Sequence, residues 1–185
     1  MVKGFWPTSL EEAIKIYAEE DCVLYAGGTD LMVMGNTELS YLYLQGIKEL
    51  KQIKVSKDSI FIGSMVTFSE AMANEAIPLP LRQAAASVAS PAIRNAGTLG
   101  GNIANASDKA DTVPVEFALD AKIHLVSLAG ERVVDIDKFH IGSKKLAIKP
   151  GEIITGITIP ISGREKYYFC KIGGRNSMAI SYVTF

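Results

Sequence analysis

The chain has 185 residues, 48% of them hydrophobic and 21% charged, with a formal net charge of −1. This is an ordinary globular composition for one domain or two small ones, with enough apolar surface to offset the entropy of ordering, so a disordered chain is excluded. The near-zero charge and the lack of a basic stripe give no electrostatic reason to expect nucleic acid or an anionic membrane as partner.

Cys22 and Cys170 lie far apart, form no C-x-x-C pair, and read as two buried thiols in a reducing compartment. Two cysteines cannot hold an iron–sulfur cluster, which takes four protein ligands. With only His124 and His140 besides, no metal site is expected. No apolar run approaches the ~20 residues that span a bilayer. The first twenty residues lack the uninterrupted apolar stretch of a signal peptide, so a cytoplasmic setting is expected.

In chain order, Ser9 with Glu12 forms a capping-box pattern opening a helix over 9–20, where Leu10, Ala13, Ile14 and Tyr17 recur at helical spacing. CVLYA at 22–26 reads as a strand ended by Gly27-Gly28, and YLYLQ at 41–45 as a second strand. Residues 1–55 are therefore expected to form a small α/β unit, with the second unit at 56–185. QIKV and SIFIG flank Ser56-Lys57-Asp58 as a hairpin. Thr67 with Glu70 gives another capping box, for a helix through Asn74, and the alanine-rich LRQAAASVAS predicts a helix before Pro91.

Residues 94–111, RNAGTLGGNIANASDKAD, carry three glycines and three asparagines, a composition unsuited to a packed helix or strand. Pro114–Asp120 suggests a helix. Beyond it KIHLVSL and RVVDI form a hairpin, and GEIITGITIP, YYFCKI and AISYVTF are further strands, so an antiparallel sheet is expected. The chain stops inside a strand-like run, from which a missing following domain is expected.

Two glycine pairs stand out, in YAGGTDL at 25–31 and TLGGN at 98–102. Glycine permits positive φ and close approach to the backbone. Successive amides in such turns can form an anion-binding nest, and Thr29 and Thr98 add hydroxyls. Two nests suit a ligand with two linked phosphates. Each pair could also be only a tight turn. Neither matches G-x-G-x-x-G or a P-loop, which disfavours a Rossmann or phosphoryl-transfer site.

YAGGTDL at 25–31, IGSMVTFSE at 62–70, VASPAIRNAGTLGGNIANASDKAD at 88–111, GEIITGITIP at 151–160 and KIGGRNSMAIS at 171–181 together resemble one family. It is the FAD-binding subunit, or domain, of molybdenum hydroxylases, with xanthine dehydrogenase and carbon monoxide dehydrogenase medium-subunit relatives. The resemblance covers essentially the whole chain, with its motifs in family order.

The resemblance implies an α+β, two-subdomain FAD-binding fold of the vanillyl-alcohol-oxidase/xanthine-dehydrogenase type. It pairs a small α/β N-terminal subdomain with a larger, mainly antiparallel sheet carrying helices, and the family's C-terminal domain is absent. It implies that Leu24, Tyr25, Ala26, Gly27, Gly28, Thr29, Asp30 and Leu31 wrap the FAD pyrophosphate from one side. Thr98, Leu99, Gly100, Gly101 and Asn102 would do so from the other. Asp111 matches the acidic position that contacts FAD, Val88 and Ile154 match apolar positions at the flavin pocket, and Lys171 matches a lysine near the isoalloxazine.

On the residues alone, Lys171 could stabilise an anionic reduced flavin or be a solvated strand lysine. Asp111 could equally be the N-cap of the helix at Pro114. Arg94 and Arg175 read as structural or surface contacts, His124 as a packed or surface histidine, and Tyr167, Tyr168 and Phe169 as core, although one of these rings could stack on a flavin. Alternation along a strand would set Cys170 and Lys171 on opposite faces.

The first glycine motif holds no histidine or cysteine for covalent attachment, so a dissociable FAD is expected. The cluster-binding insertion of benzoyl-CoA reductase relatives is missing. The implied function is electron transfer, with no catalytic acid or base, from iron–sulfur clusters of a small subunit through FAD to NAD+ or another acceptor. A molybdopterin-binding large subunit would oxidise the substrate. A stand-alone FAD-dependent oxidase or reductase and a flavin-less assembly module are the alternatives.

Overall fold

A computed structural model describes residues 2–161, 166–174, 179 and 181–183. The chain begins with β1 (Gly4–Phe5), α1 (Leu10–Glu19), β2 (Val23–Tyr25), a one-turn α2 (Leu31–Met34) and β3 (Tyr41–Tyr43). The three strands form a parallel sheet in the order β1-β3-β2. Ser9 caps α1 as expected, its hydroxyl accepting from the Glu12 amide. The Glu12 carboxylate reaches the Thr8 amide at 2.8 Å instead of the Ser9 amide. The first cap bond is therefore present and its reciprocal partner is shifted by one residue.

A 3-10 turn at Lys48–Lys51 leads into β4 (Ile53–Val55) and β5 (Ser59–Gly63). Five helices follow: α3 (Phe68–Ala73), α4 (Leu79–Ser87), α5 (Pro91–Ala96), α6 (Leu99–Asn105) and α7 (Val113–Ala118). The rest comprises β6 (Lys122–Ser127), β7 (Gly130–Asp135), α8 (Ile136–Phe139), the hairpin β8 (His140–Gly142) and β9 (Lys145–Leu146), β10 (Ile153–Pro160), β11 (Ile172–Gly173) and β12 (Ser181–Val183). β4-β5-β10-β6-β7 make one antiparallel sheet. The expected α+β fold is present: a small α/β layer beside a larger antiparallel sheet. Ile53–Val55 forms the edge strand of the larger sheet. Among the described residues no helix is long and apolar enough to cross a membrane.

Strand alternation builds the main core. Ile60 and Ile62 of β5, Ile123 and Leu125 of β6, and Ile157 and Ile159 of β10 are buried against Phe68, Leu81, Leu99, Ile103 and Val113 of the helices. On the opposite face His124 meets Phe61 edge-on and bonds Thr158 at 2.6 Å. It is a packed histidine, and burial lowers its pKa. A second cluster joins the two layers: Ala13, Leu42 and Leu44 of the small unit pack with Ile47, Leu50, Met65, Val126 and Ile153.

Several expectations change. The stretch 94–111 is mostly helical, because Ser90 caps α5 and Thr98 caps α6. Side-chain acceptors at the N-cap outweigh the poor helix propensity of two glycines over so few residues. Of YYFCKI only Ile172 lies in a strand, at the start of β11. Tyr167 and Tyr168 are exposed, so they are not core. Cys170 is exposed and Cys22 is partly exposed, so the thiols are not both buried. Arg94 donates to the carbonyls of Val88 and Ala89, a structural contact. Arg175 lies outside the described residues.

Candidate functional site

Helix α6 is the hub of the predicted site residues. Its N-terminus is held from below: Phe68 donates to Gly97 O at 3.0 Å, Leu99 to Val66 O at 3.0 Å and Gly100 to Ser64 O at 3.0 Å. The glycine at 100 is required by this packing, since a Cβ there would collide with Ser64. Gly27 has the same kind of cause, because a Cβ on it would strike the Ala96 carbonyl. The two glycine bends therefore lie against each other, one from each layer of the fold.

The amides of the two bends differ. In the second bend all four are committed: Leu99 and Gly100 as above, Gly101 to Thr98 Oγ1 at 3.0 Å, and Asn102 to Thr98 O at 3.0 Å. In the first bend Gly28 takes φ +69°, and the amides of Gly27, Gly28 and Thr29 have no acceptor among the described residues. The expectation of two equivalent amide nests is thus corrected. The first bend presents open amides, and the second contributes side chains and shape.

Gly101 supplies the shape. A Cβ there would meet only Thr98 Oγ1 at 3.0 Å and Ala26 Cβ at 3.7 Å, so no backbone packing demands a glycine. Its bare backbone lies next to Ala26 of the first bend. The Asn102 side chain accepts from the Thr112 hydroxyl at 2.7 Å through Oδ1. This fixes the amide so that Nδ2 is the outward donor.

Thr112, not Asp111, precedes α7 as its N-cap, and no side chain caps that helix. Asp111 instead pairs with Lys171 at 2.7 Å, each side chain 13% exposed. Lys171 also donates to Ser87 O at 2.9 Å. It is not a solvated lysine but a half-buried cation at the end of α4, one residue before Val88. Cys170 is exposed beside the half-buried Lys171, although neither lies in a strand. Val88 and Ile154 are both buried in the main core with Leu99 and Ile103. Leu24 packs on the second cluster, and Leu31 opens α2. Tyr25 stacks into a group with Trp6, Tyr41 and Tyr43, and its ring and hydroxyl lie where a Cβ on Gly28 would be.

The candidate residues thus comprise open amides, two hydroxyl residues, a carboxamide with a fixed donor side, a half-buried Lys–Asp pair and buried apolar side chains. The donors suit a diphosphate, and the half-buried cation suits an electron-rich ring system. Sequence reasoning missed Lys144, which donates to Asn105 Oδ1 at 2.7 Å from 39 positions away. It also missed the Ser87 carbonyl, a backbone atom that no side-chain pattern announces. Trp6 and Tyr43, stacked at 4.9 Å, were legible only as separate aromatics.

Residues 1–162 match the family described as FAD binding domain in molybdopterin dehydrogenase. The nicotinate dehydrogenase FAD-subunit of Eubacterium barkeri is 33% identical over 193 residues, covering 97% of this chain and 65% of that protein. The xanthine dehydrogenase FAD-binding subunit of Escherichia coli O157:H7 is 34% identical over 166 residues, covering 85% of this chain and 57% of the relative. A chain of reconstituted CO dehydrogenase from Oligotropha carboxidovorans superposes with TM-score 0.90 at 28% identity, covering 98% of this chain and 66% of that one. The chain thus spans between 57% and 66% of the length of these relatives. With the donor set of the two bends already in place, the chain belongs to the FAD-binding domain family of molybdopterin dehydrogenases, oxidoreductase subunits whose cofactor is FAD.

Proposed function

We propose that this chain is the flavin unit of a xanthine dehydrogenase-like molybdenum hydroxylase. It would pass electrons from the iron–sulfur clusters of a small subunit to NAD+ or another acceptor, while a molybdopterin-binding large subunit oxidises the substrate. FAD, when bound, takes up one or two electrons and so couples single-electron carriers to a two-electron acceptor. The observation that carries the reading is the bend at Gly27–Thr29: three amides without an acceptor among the described residues, on a bend packed against the second glycine bend at Ala96–Gly97 and Gly101.

The chain's own residues bind and orient. Gly27, Gly28 and Thr29 would donate their amides to the diphosphate, with Ala26, Asp30 and Leu31 framing the bend. The Thr98 hydroxyl and the Asn102 carboxamide would donate from the opposite side, over the bare backbone of Gly100 and Gly101. Leu24, Val88, Leu99 and Ile154 would exclude water, and Tyr25 would brace Gly28. Asp111 would accept a ligand hydroxyl while holding Lys171. Lys171 would place its charge beside the ring system, favouring the reduced anionic form. No side chain acts as acid or base in this scheme.

We read residues 1–55 and 56–185 as the two FAD-binding subdomains, with Ile53–Val55 crossing that boundary to pair with β5 of the larger sheet. A cytoplasmic setting is supported by two unpaired thiols, as a reducing compartment keeps them. The test is purification from the native host. The chain is expected to arrive yellow, with acid-releasable flavin and with subunits carrying molybdenum and iron–sulfur clusters, and substrate should bleach the flavin absorbance. Purification without partners, or an absorbance unchanged by substrate, refutes the electron-transfer role.

A further inference from the structure

We propose that Asn105 is a positioning residue that tethers the open-amide bend to α6, with Lys144 fixing its orientation; the proposal rests on the FAD reading above. Asn105 Nδ2 donates to Asp30 Oδ2 at 3.0 Å. Lys144 Nζ donates to Asn105 Oδ1 at 2.7 Å and to Asn105 O at 2.9 Å, and the Lys144 amide donates to Ala106 O at 3.0 Å. An ammonium can only donate and a carboxylate can only accept, so the carboxamide has one orientation.

The bend that offers its amides is held at its two ends. At one end, the backbone of Gly27 lies against Ala96 and Gly97. At the other, the Asp30 carboxylate is gripped by Asn105. Beyond Asp30 the chain enters α2, whose Met32, Val33 and Met34 are exposed and whose amides bond only locally, back to the carbonyls of Gly28 and Asp30. Without the Asn105 bond the run 28–30 loses its second anchor, and each residue freed to move must be reordered when a ligand binds. Asp30 is also a negative charge beside a site for a dianion. The Asn105–Lys144 chain ties it to a cation on the β8–β9 turn, which offsets that repulsion. The relay uses three polar side chains from three separate parts of the chain, and none of them is needed to fill the core.

The experiment compares Asn105→Ala, Asn105→Asp and the swap Asp30→Asn/Asn105→Asp with the parent chain. FAD affinity is read from flavin fluorescence, and amide hydrogen exchange is read without FAD at residues 32–35, whose amides bond back to the carbonyls of Gly28, Asp30 and Leu31. Asn105→Ala is expected to weaken FAD binding about fivefold. Asn105→Asp should weaken it further, since two carboxylates then face each other. The swap restores a carboxamide–carboxylate bond with Lys144 still paired, and should return affinity and exchange to parental values. Faster exchange confined to 32–35 in both single variants supports the tether. Exchange that is unchanged in Asn105→Ala, or a swap as weak as Asn105→Asp, overturns it. If the parent chain takes up no FAD, the diphosphate reading fails, while the exchange data still decide the tether.

Discussion

Gly27, Gly100 and Gly101 share a residue type and differ in what a side chain would meet. At 27 and 100 a Cβ runs into backbone or Cβ atoms of the neighbouring segment; at 101 it meets one hydroxyl and one methyl at 3.0 and 3.7 Å. Gly27→Ala and Gly100→Ala should therefore lower the melting temperature even without ligand, by ~1–3 kcal/mol, as overpacking does. Gly101→Val should leave the melting temperature of the ligand-free chain within ~0.5 kcal/mol of the parent yet abolish FAD retention, because it fills the space beside Ala26 of the first bend. Calorimetry and flavin content measure the two effects separately. Equal stability losses at all three sites would contradict this division.

Glu116 is a second case at this scale. It lies fully buried in the first turn of α7, with no well-formed hydrogen bond to either carboxyl oxygen among the described residues. Burial pushes its pKa from 4.5 up to about 8, against a smaller opposing pull from the Thr112 side chain. Between those values the folded chain keeps a proton that the unfolded chain has released, so stability falls as pH rises through this window and levels off above it. The slope approaches about 1.4 kcal/mol per pH unit. Glu116→Gln should flatten it, and urea midpoints at pH 5 and pH 8 report the change. A variant that keeps the parental slope would show that other groups cause it.

At the scale of elements, caps were legible and their consequences were not. Thr67 and Glu70 form the full reciprocal box at α3, with Glu70 N to Thr67 Oγ1 at 3.1 Å and Thr67 N to Glu70 Oε2 at 2.8 Å. Thr67→Ala should cost ~1 kcal/mol, read from denaturant unfolding. An unchanged midpoint would mean that the cap is redundant. The same residue pairs through its backbone with Thr98, so the start of α3 and the start of α6 form one bridge. The helical period found α1, α3, α4 and α7, because each shows apolar recurrence or a capping pattern. It missed α6, whose glycines carry no such signal and whose helical form depends on the Thr98 hydroxyl and on carbonyls of the 64–66 segment.

At the scale of the whole molecule, two layers share one apolar cluster and one candidate ligand site. A ligand that touches both should stabilise them together. FAD at a hundred times its dissociation constant is expected to raise the melting temperature by roughly 5–10 °C as a single transition. A shift confined to one of two separate transitions would mean that the bends do not hold the ligand jointly.

The amino-acid sequence by itself determined the fold class, the family and the two glycine bends. Strand alternation, cap residues and local glycine chemistry are all readable within a few neighbouring positions. The tertiary structure alone decided which amides have no acceptor among the described residues and which glycines are packed against Ser64 or Ala96. It also decided that Lys171 meets Asp111 across 60 positions and that Lys144 completes the Asn105 relay across 39. Hydrogen-bond satisfaction and close packing depend on what lies opposite in space, and that partner is set by the folding of distant segments onto one another.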